Sequence, residues 1–473
     1  MQNETRLNSD SQRPIDVLIL AAGLGTRMKS RKAKVLHELG GQPLISHVVR
    51  AAQALNPRNI IVIVGHQADQ VEAAVRKSSG DGPASFVTQE KQLGTGDAVM
   101  AAQDALGAAD STVLILSGDV PLIKAETLRR LLDHHQQHQA AGTILSVRME
   151  NPTGYGRIIR NEQAEFVKIV EQKDATEEER QVREINSGIY CFETGKLFSA
   201  LRRVQPKNQQ GEYYLTDVAE ILRSDGETVG AQLHSDAREV SGVNTRAELA
   251  EFENLLRRNT IRTLMIEGGV TFIDPSHTYI SADAEVGQDT VIYPDVHLEG
   301  NTVIGENCEI RSGSRITNSR IGDHVTIKDH CVIVDSAIEA NCSVGPFAHL
   351  RMNARMEESA TVGNFVEVKK SRIGRGSKSM HLTYLGDATI GEKTNIGAGT
   401  ITCNYDGKNK HETIIEDNVK IGSDTMLVAP VRVGSRSVTG AGSVITKDVP
   451  PDSLVFGVPA VVKKSLRGKN EGE

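Results

Sequence analysis

The pattern of apolar residues differs between the two halves of the chain. In the first half, short continuous apolar runs alternate with stretches in which apolar residues recur every three or four positions. This alternation predicts an α/β domain with a doubly wound parallel sheet covered by helices on both faces, where ligands bind at the carboxyl ends of the strands. The predicted strands and helices include Ile15–Leu20, Leu44–Leu55, Ile60–Val64, Ala98–Leu106, Val113–Leu116 and Ile144–Val147.

In the second half, apolar residues recur every six positions. After shifts of one residue the period continues to Val368, and it returns from Ile415 to Val433. Such a period predicts a parallel β-helix, in which each six residues form one side of a triangular coil and the apolar residue points inward. A β-sandwich is the alternative, but its strands do not keep a six-residue frame. The first series consists of Val286, Ile292, Leu298, Ile304, Ile310 and Ile316.

Two segments, 375–387 and 403–412, interrupt the six-residue period. We expect them to form loops on the outside of the rod, where binding sites are often built. One amphipathic helix, from Arg246 to about Ile266, separates the two halves, and Gly268 and Gly269 would end it. The sequence therefore predicts an α/β domain over residues 1–243, a linker helix over 244–266 and a β-helix over 267–473.

Composition agrees with this division and excludes several classes of protein. The 473 residues include 43 Gly and no Trp, and only 4% are aromatic, as a narrow β-helix requires. With 54 Lys and Arg against 61 Asp and Glu, the net charge of −7 gives no reason to expect a nucleic acid or an anionic membrane as a partner. No apolar run approaches the ~20 residues of a membrane span. The five scattered cysteines have no CxxC spacing, which indicates reduced thiols and a cytoplasmic protein.

Candidate phosphate-binding chemistry follows the first predicted strand. The segment from Leu20 to Arg27 contains Gly23 and Gly25, whose turn would let successive backbone N–H groups cradle a phosphate. Arg27 and Lys34 would add two positive charges. The segment matches neither the P-loop pattern GxxxxGK[ST] nor the dinucleotide-binding pattern GxGxxG, and a plain turn is the alternative for the two glycines alone.

A carboxylate follows a second predicted strand. Asp119 comes three residues after Val113–Leu116, at the edge of the sheet where an open α/β fold binds its ligands. Asp suits Mg²⁺ in combination with phosphate oxygens. An ordinary Asp in a turn is the alternative.

The order of the motifs carries a resemblance to a known family. The first half resembles the sugar-1-phosphate nucleotidylyltransferases, and the second half carries two further motifs, HLTYLGD (381–387) and CNYDG (403–407), on a hexapeptide β-helix. Together they resemble the bacterial family of bifunctional N-acetylglucosamine-1-phosphate uridylyltransferases and glucosamine-1-phosphate acetyltransferases. The motifs of the first half are LAAGLGTRM (20–28), LGTG (93–96), SGDVPL (117–122), PTGYGR (152–157), EQKD (171–174), EINSG (184–188) and GEYYLTD (211–217).

The resemblance implies a left-handed β-helix and a uridylyltransferase site in the α/β domain. UTP and N-acetylglucosamine-1-phosphate would be the substrates, Arg27 and Lys34 would bind phosphates, and Asp119 and Asn244 would hold Mg²⁺. A helix cap is the alternative role for Asn244. The residues assigned to the nucleotide and the sugar are Leu20, Ala21, Ala22, Gly23, Arg27, Lys34, Gln89, Gly94, Thr95, Ser117, Gly118, Asp119, Gly156, Glu171, Asn186 and Asn244.

The resemblance also implies an acetyltransferase site in the β-helix, with acetyl-CoA and glucosamine-1-phosphate as substrates. His381 would be the general base, since an imidazole suits proton transfer at neutral pH; a surface histidine is the alternative. Arg351, Lys369, Tyr384 and Asn395 would bind the amino sugar phosphate. The residues assigned to acetyl-CoA are Ala398, Asn404, Tyr405, Ser423 and Ala441.

The family resemblance further implies a homotrimer with the acetyl site between subunits, and a product used for peptidoglycan and outer-membrane glycolipid. The chain departs from the family pattern in two places: Ala33 stands where Pro is frequent, and the stretch around Gly457 lacks the basic residue that helps to hold the cofactor in the family. Either Lys463 and Lys464 take over that contact, or the affinity for the cofactor is reduced. Two other functions remain as alternatives. One is a nucleotidylyltransferase with a regulatory or structural β-helix, and the other is a non-catalytic binding subunit of the same architecture.

Overall fold

The computed structural model describes residues 13–23, 25–80, 82, 84–107 and 110–465. The chain forms two compact units, residues 1–253 and 254–473. Within the described residues, no helix combines the length and apolar character that crossing a membrane requires.

The first unit is an α/β fold around one large sheet. Both faces of the central strands are buried: Val17 and Ile19 pack into one hydrophobic cluster, and Leu18 packs into another. The strands are β1 Ile15–Leu20, β2 Glu38–Leu39, β3 Gln42–Pro43, β4 Asn59–Val64, β5 Ala84–Thr88, β6 Thr112–Ser117, β7 Gly142–Arg148, β8 Arg157–Arg160, β9 Phe166–Val170, β10 Glu184–Glu193 and β11 Val229–His234. The helices are α1 Leu44–Gln53, α2 Ala68–Ser79, α3 Thr95–Ala101, α4 Gln103–Leu106, α5 Ala125–Gln137, α6 Glu177–Arg180, α7 Thr194–Leu201 and α8 Asp217–Ser224. The next helix, α9 Arg246–Ile266, begins in the first unit and ends in the second.

The sheet has the order β11-β7-β10-β6-β1-β4-β5 and is not purely parallel. β10 runs antiparallel to both of its neighbours, β6 and β7. After β7 the chain forms the antiparallel ribbon β8–β9, and it then enters the sheet in the reverse direction. The predicted helix Ala98–Leu106 is divided into α3 and α4, because Ala102 leaves helical geometry with φ −89° and ψ 2°.

The second unit is a parallel β-helix with three flat faces, as the six-residue period predicts. Most of its inward positions are aliphatic, and they form one continuous hydrophobic cluster that runs the length of the rod. The three faces are defined by parallel pairing between successive coils.

The first face contains Thr271–Phe272, Val291–Ile292, Glu309–Ile310, Thr326–Ile327, Ser343–Val344, Asn395–Ile396, Lys420–Ile421, Val438–Thr439 and Ser453–Gly457. The second face contains Tyr279–Ile280, His297–Glu299, Arg315–Thr317, Val332–Val334, His349–Arg351, Ile401–Cys403, Met426–Val428 and Val444–Ile445. Two long strands, Thr361–Lys369 and Lys378–Gly386, pass through the first and second faces and the corner between them. The third face contains Glu285–Val286, Val303–Ile304, Arg320–Ile321, Ala337–Ile338, Arg355–Met356, Arg372–Ile373, Ala388–Ile390, Thr413–Ile415 and Val431–Val433, and Ala460–Ser465 folds back on the last strand of the first face.

The expectation of a loop at 375–387 is wrong. Lys378–Gly386 is a regular strand that pairs along its length with Thr361–Lys369. The six-residue period is hidden here because the inward residue Ser379, which pairs with the inward Val362 of the preceding coil, is polar. On the next coil the inward residue Thr402, which lies beside Leu385 on the second face, is polar as well. The second interruption, 403–412, does leave the coil and carries only an isolated bridge between Tyr405 and Lys410.

Candidate active sites

Two adjoining cavities lie at the carboxyl ends of the parallel strands of the first unit. Their volumes are about 380 and 280 Å³, and they share Leu20, Lys34, Thr95, Ser117 and Asp119. Leu20 and Ser117 are the paired last residues of β1 and β6, so the edge of the sheet forms the common floor. The predicted nucleotide and sugar residues that line these cavities are Leu20, Ala21, Ala22, Gly23, Arg27, Lys34, Gln89, Gly94, Thr95, Ser117, Asp119, Gly156, Glu171, Asn186 and Asn244.

Gly118 is the one residue of the predicted set that does not line either cavity. Its N–H donates to Leu20 O over 2.9 Å. A Cβ at this position would come within 3.1 Å of that oxygen. Gly118 therefore lets the turn after β6 pack against the end of β1, which fixes the position of Asp119 beside it.

Two cations and two oxygen ligands meet where the cavities join. Lys34 Nζ forms an ion pair with the Asp119 carboxylate and donates to Asn244 Oδ1 over 3.1 Å. Arg27 Nη2 donates to the same Asn244 oxygen over 2.8 Å. The side chains of Lys34 and Asp119 are only 17% and 15% exposed, so this pairing is screened less than a surface ion pair. The Asp119 and Asn244 oxygens thus converge on a position that a cation can occupy.

The helix-cap role for Asn244 falls instead to its neighbour. Glu248 N–H donates to Thr245 Oγ1 over 3.1 Å, and Thr245 N–H donates back to the Glu248 carboxylate over 3.0 Å, which is a capping box at the start of α9. The Glu248 carboxylate also accepts the Asn244 N–H over 2.6 Å. The Asn244 side-chain oxygen is therefore directed to Arg27 and Lys34 rather than to the helix.

The end of the site with the predicted nucleotide residues depends on close backbone packing. Gly94 has φ +118°, and a Cβ there would lie 2.5 Å from Tyr213 O. Gln89 Nε2 donates to Gly94 O over 3.1 Å and to the Asp97 carboxylate over 2.7 Å. Thr95 Oγ1 accepts the Leu215 N–H over 3.1 Å. These contacts hold the Leu93–Gly96 segment against the chain at 213–215.

The predicted sugar residues lie together at the other end. Asn186 N–H donates to Gly156 O over 2.9 Å, and Asn186 Nδ2 donates to Tyr190 Oη over 2.6 Å. Burial raises the pKa of the Glu171 carboxyl, although Thr216 donates to it over 3.4 Å. The sequence did not assign a role to several other lining residues. Thr153, Tyr155 and Thr216 lie in the quoted motifs and Tyr190 lies two residues after one, whereas Glu248 carries only the capping-box spacing.

In the second unit, His381 lies on the corner between the first and second faces. It is exposed, and its Nδ1 lies 2.7 Å from Asn364 Oδ1 on the preceding coil. Because an amide oxygen only accepts, Nδ1 carries the hydrogen, and in the neutral ring Nε2 then has the lone pair. Asn364 was not predicted, but it stands 17 residues before His381, the length of this coil.

Three of the residues assigned to acetyl-CoA continue the same corner on the following coils. Asp424 N–H donates to Ala398 O over 2.7 Å, and Gly442 N–H donates to Ser423 O over 2.8 Å. Ala441 N lies 2.7 Å from the position of a Cβ on Gly422, so the coils approach closely. Since coils repeat about every 4.8 Å, His381, Ala398, Ser423 and Ala441 form a straight row.

The remaining predicted acetyltransferase residues lie away from this corner. Arg351, Lys369 and Gly386 are paired neighbours at the far edge of the second face. Arg351 is bound by Glu367 over 2.6 Å, and Lys369 Nζ lies 3.5 Å from the Asp387 carboxylate. Tyr384 pairs between Glu367 and Ile401 on the second face, whereas Asn395 lies on the first.

Asn404 and Tyr405 lie at the same far edge and not with Ala398. Asn404 Nδ2 donates to the Asp387 carboxylate over 2.6 Å, and the 60% exposed Tyr405 donates to Gly407 O over 2.7 Å. Lys410, in the same loop, approaches Lys369 and was not predicted. Within one chain, the predicted acetyl-CoA residues therefore lie at two different corners of the β-helix.

A metal centre made of protein ligands alone is absent from the part of the chain that the structure describes, since no three His, Cys, Asp or Glu side chains cluster there. The Asp119 and Asn244 pair is instead suited to Mg²⁺, which commonly takes one or two protein oxygens together with substrate phosphates and water. The residues present thus fit a divalent metal bound with a nucleotide.

Comparison with known proteins agrees with both units. The MobA-like NTP transferase domain matches residues 17–185, the GMPPB C-terminal domain matches 275–373, and the bacterial transferase hexapeptide matches 412–447. A solved UDP-glucose pyrophosphorylase complexed with UDP-glucose is 17% identical, covers 52% of this chain and 99% of its own, and gives a TM-score of 0.44. That similarity is too weak to support a conclusion.

Curated relatives match nearly the whole chain. The bifunctional protein GlmU of Syntrophomonas wolfei is 49% identical over 440 residues, which cover 93% of this chain and 96% of its own. The GlmU of Heliobacterium modesticaldum is 51% identical, covering 92% and 94%, and that of Koribacter versatilis is 48% identical, covering 98% of each chain. The chain belongs to the GlmU family, the bifunctional enzymes of UDP-N-acetylglucosamine synthesis with a nucleotidyltransferase unit and a hexapeptide acetyltransferase unit.

Proposed function

We propose that the residues described above carry the two transfers of this family. The β-helix acetylates glucosamine-1-phosphate, and the α/β unit then joins the product to the uridylyl group of UTP and releases pyrophosphate. The observation that carries this assignment is the straight row that aligns His381 with Ala398, Ser423 and Ala441. As domain limits we propose residues 1–243 for the uridylyltransferase, 244–266 for the linker and 267–473 for the acetyltransferase.

In uridylyl transfer, a phosphate oxygen of the sugar-1-phosphate attacks the α-phosphorus of UTP, and pyrophosphate leaves. Such a reaction needs alignment and charge neutralisation rather than a covalent group on the protein. Arg27 and Lys34 neutralise the triphosphate, and Gly156, Glu171 and Asn186 hold the sugar. Asp119 and Asn244 would hold Mg²⁺, which supplies further positive charge to the phosphates when bound.

In acetyl transfer, the amine nitrogen of glucosamine-1-phosphate forms the amide bond with the thioester carbon, and the carbon–sulfur bond breaks. His381 Nε2 takes the amine proton, and the CoA sulfur leaves and is protonated as a thiol. Asn364 is a positioning residue, because its oxygen holds the Nδ1–H tautomer that leaves Nε2 free. Arg351 and Lys369 suit the phosphate dianion. At the departure near Gly457, Lys463 lies 5.6 Å above the Phe456 ring and can supply the missing cation.

A homotrimer is supported by two observations on the β-helix. The acetyl-CoA residues are divided between two corners of one chain, so a neighbouring chain is needed to bring Tyr405 to the row that contains His381. The corner beside His381 also exposes apolar side chains: Phe347 stacks on Phe365 at 5.3 Å, and Phe365 and Leu382 are 55% and 63% exposed. The reduced, unpaired cysteines agree with the proposed cytoplasmic location.

The test measures both half-reactions in the full-length protein. Thiol release from acetyl-CoA should require glucosamine-1-phosphate and should be lost in His381→Ala, while pyrophosphate release from UTP, Mg²⁺ and N-acetylglucosamine-1-phosphate should not change. No thiol release from folded wild-type protein would leave a uridylyltransferase with a structural β-helix.

Subunit mixing tests the shared site. His381→Ala and Tyr405→Ala should each be nearly inactive in acetyl transfer, and a mixture refolded together should regain activity, because mixed trimers contain sites with both native residues. A mixture that stays inactive would place the whole site in one chain.

A further inference from the structure

Arg157 is a buried charge that the proposed mechanism does not use. It is the first residue of β8, its exposure is 1%, and its Nη1 donates to Tyr155 O. Nη2 donates to Gln172 Oε1 over 2.8 Å and to Arg180 O over 3.4 Å. Within the described residues no carboxylate forms an ion pair with it. Burying a guanidinium without an ion pair is costly, and here its Nε is buried without a hydrogen-bond partner, so a role beyond packing is worth testing.

The strand geometry places Arg157 beneath the proposed sugar site. Arg157 pairs with Val170 in the β8–β9 ribbon, so Gly156 and Glu171 stand next to each other at its end. Side chains alternate between the two sides of a strand. Gly156 and Glu171 line the cavity, whereas Arg157 and Gln172 lie on the opposite side and do not.

The half-buried Gln172 links Arg157 to the turn that carries the other wall of the cavity. Its Oε1 accepts both Arg157 Nη2 and the Gly154 N–H, the latter over 3.1 Å. Arg157 also binds Tyr155 O, so the guanidinium and the amide together fix the turn 152–156 to the segment 171–172. The tolerance is small: a Cβ on Gly156 would lie 3.3 Å from the Glu171 carboxylate.

We propose that Arg157 is a positioning residue that sets the distance between Gly156 and Glu171, and so the fit of the sugar ring, from the side of the strand that faces away from substrate. The inference rests on the proposed uridylyltransferase site. We expect a change at Arg157 to affect the two substrates differently. The sugar phosphate contacts the walls that Arg157 fixes, whereas UTP contacts the 20–23 and 93–96 segments, which Arg157 does not touch.

The test compares KM values in Arg157→Met, Arg157→Lys and Gln172→Met. In Arg157→Met, the KM for N-acetylglucosamine-1-phosphate should rise at least about tenfold, because all three hydrogen bonds of the guanidinium are lost, while the KM for UTP stays within about twofold. Arg157→Lys should lie between, since an ammonium can keep one acceptor but lacks the planar fork. Arg160→Met is the matched control: Arg160 lies on the same strand but binds Glu184 over 2.7 Å and does not line the cavity.

A double variant tests whether Arg157 and Gln172 act together. Gln172→Met should raise the KM for N-acetylglucosamine-1-phosphate as Arg157→Met does. The double variant should raise that KM no further than either single variant. Equal KM increases for both substrates, or an Arg160→Met effect of the same size on the sugar KM alone, would overturn the proposal. If Arg157→Met does not fold, the same comparison of KM values in Arg157→Lys and Gln172→Met tests the proposal.

Binding measurements separate this inference from the proposed function. Calorimetry with UDP-N-acetylglucosamine and with UTP uses the same variants and needs no turnover. Weaker binding of the sugar nucleotide alone supports the role of Arg157, and unchanged binding of both overturns it. Wild-type protein that binds UDP-N-acetylglucosamine but transfers no uridylyl group would contradict the proposed function and not this inference.

Discussion

Replacing Asn364 should slow acetyl transfer without removing the catalytic base. Among the residues that the structure describes, the His381 ring has one side-chain hydrogen bond, from Nδ1 to Asn364 Oδ1 over 2.7 Å. In Asn364→Ala the exposed ring loses this partner and samples orientations and tautomers that cannot take the amine proton. A neutral hydrogen bond contributes about 0.5–1.5 kcal/mol, and a tenfold change in rate corresponds to about 1.4 kcal/mol. We therefore expect kcat to fall by about 2- to 12-fold.

This effect is distinguishable from loss of the base itself. His381→Ala should cost about 10²–10⁴-fold, the usual contribution of general base catalysis. Thiol release gives kcat and the KM for acetyl-CoA, and the KM should stay nearly constant in Asn364→Ala. Pyrophosphate release by the first unit is the internal control for folding. Asn301→Ala is the control variant, because Asn301 is an exposed asparagine on the same β-helix.

The decisive measurement is the rate of acetyl transfer in the double variant that combines Asn364→Ala with His381→Ala. If Asn364 acts through His381, then Asn364→Ala should have no further effect once His381 is Ala. Full activity in Asn364→Ala, or a loss of the same size in the His381→Ala background, would refute the positioning role.

Three further predictions concern the first unit. Asp119→Asn should lower uridylyl transfer about 100-fold or more and raise the Mg²⁺ concentration that half-saturates it, with acetyl transfer unchanged; unaltered Mg²⁺ dependence would exclude Asp119 as a ligand. Gly94→Ala should raise the KM for UTP, because φ +118° and the 2.5 Å approach to Tyr213 O force the segment to shift; a normal KM would show that the nucleotide does not depend on this segment. Burial lowers the pKa of His135 to about 4, so the unfolded state takes up a proton near pH 6.5 while the folded state does not. Stability should therefore fall by about 2 kcal/mol between pH 7.5 and pH 5, and urea unfolding of His135→Gln should show that much less pH dependence.

The sequence predicts those parts of the sites whose geometry is local. Leu20 to Gly23 and Ser117 to Asp119 follow directly from two apolar strands, and the ends of parallel strands meet at one edge. The six-residue period similarly predicts the β-helix, because each coil repeats the same contact. Where the inward side chains are polar, as at Ser379 and Thr402, the period disappears although the coil continues. The repeat spacing of 17 residues could have identified Asn364 as the neighbour of His381.

Other parts depend on contacts between distant segments. The antiparallel direction of β10 follows from the β8–β9 ribbon and cannot be inferred from an apolar run. Arg157 stands in a quoted motif, yet its partners Gln172 and Arg180 lie 15 and 23 residues away, and only the strand register shows that it faces away from the cavity. Thr245, and not Asn244, caps α9 because it directly precedes the first helical residue, and the Asn244 oxygen is bound by the distant Arg27 and Lys34 instead.

The arrangement of the two sites explains why one activity should require assembly and the other should not. The predicted nucleotide and sugar residues, from Leu20 to Asn244, converge on adjoining cavities within a single unit. On the β-helix, the flat second face separates the row that contains His381 from the edge that carries Asn404, and coil stacking fixes that separation because every coil is hydrogen-bonded to the next. No rotation of a side chain can close a gap set by the width of a face. A second chain placed along the corner of the first can close it, and it would also cover Phe365 and Leu382.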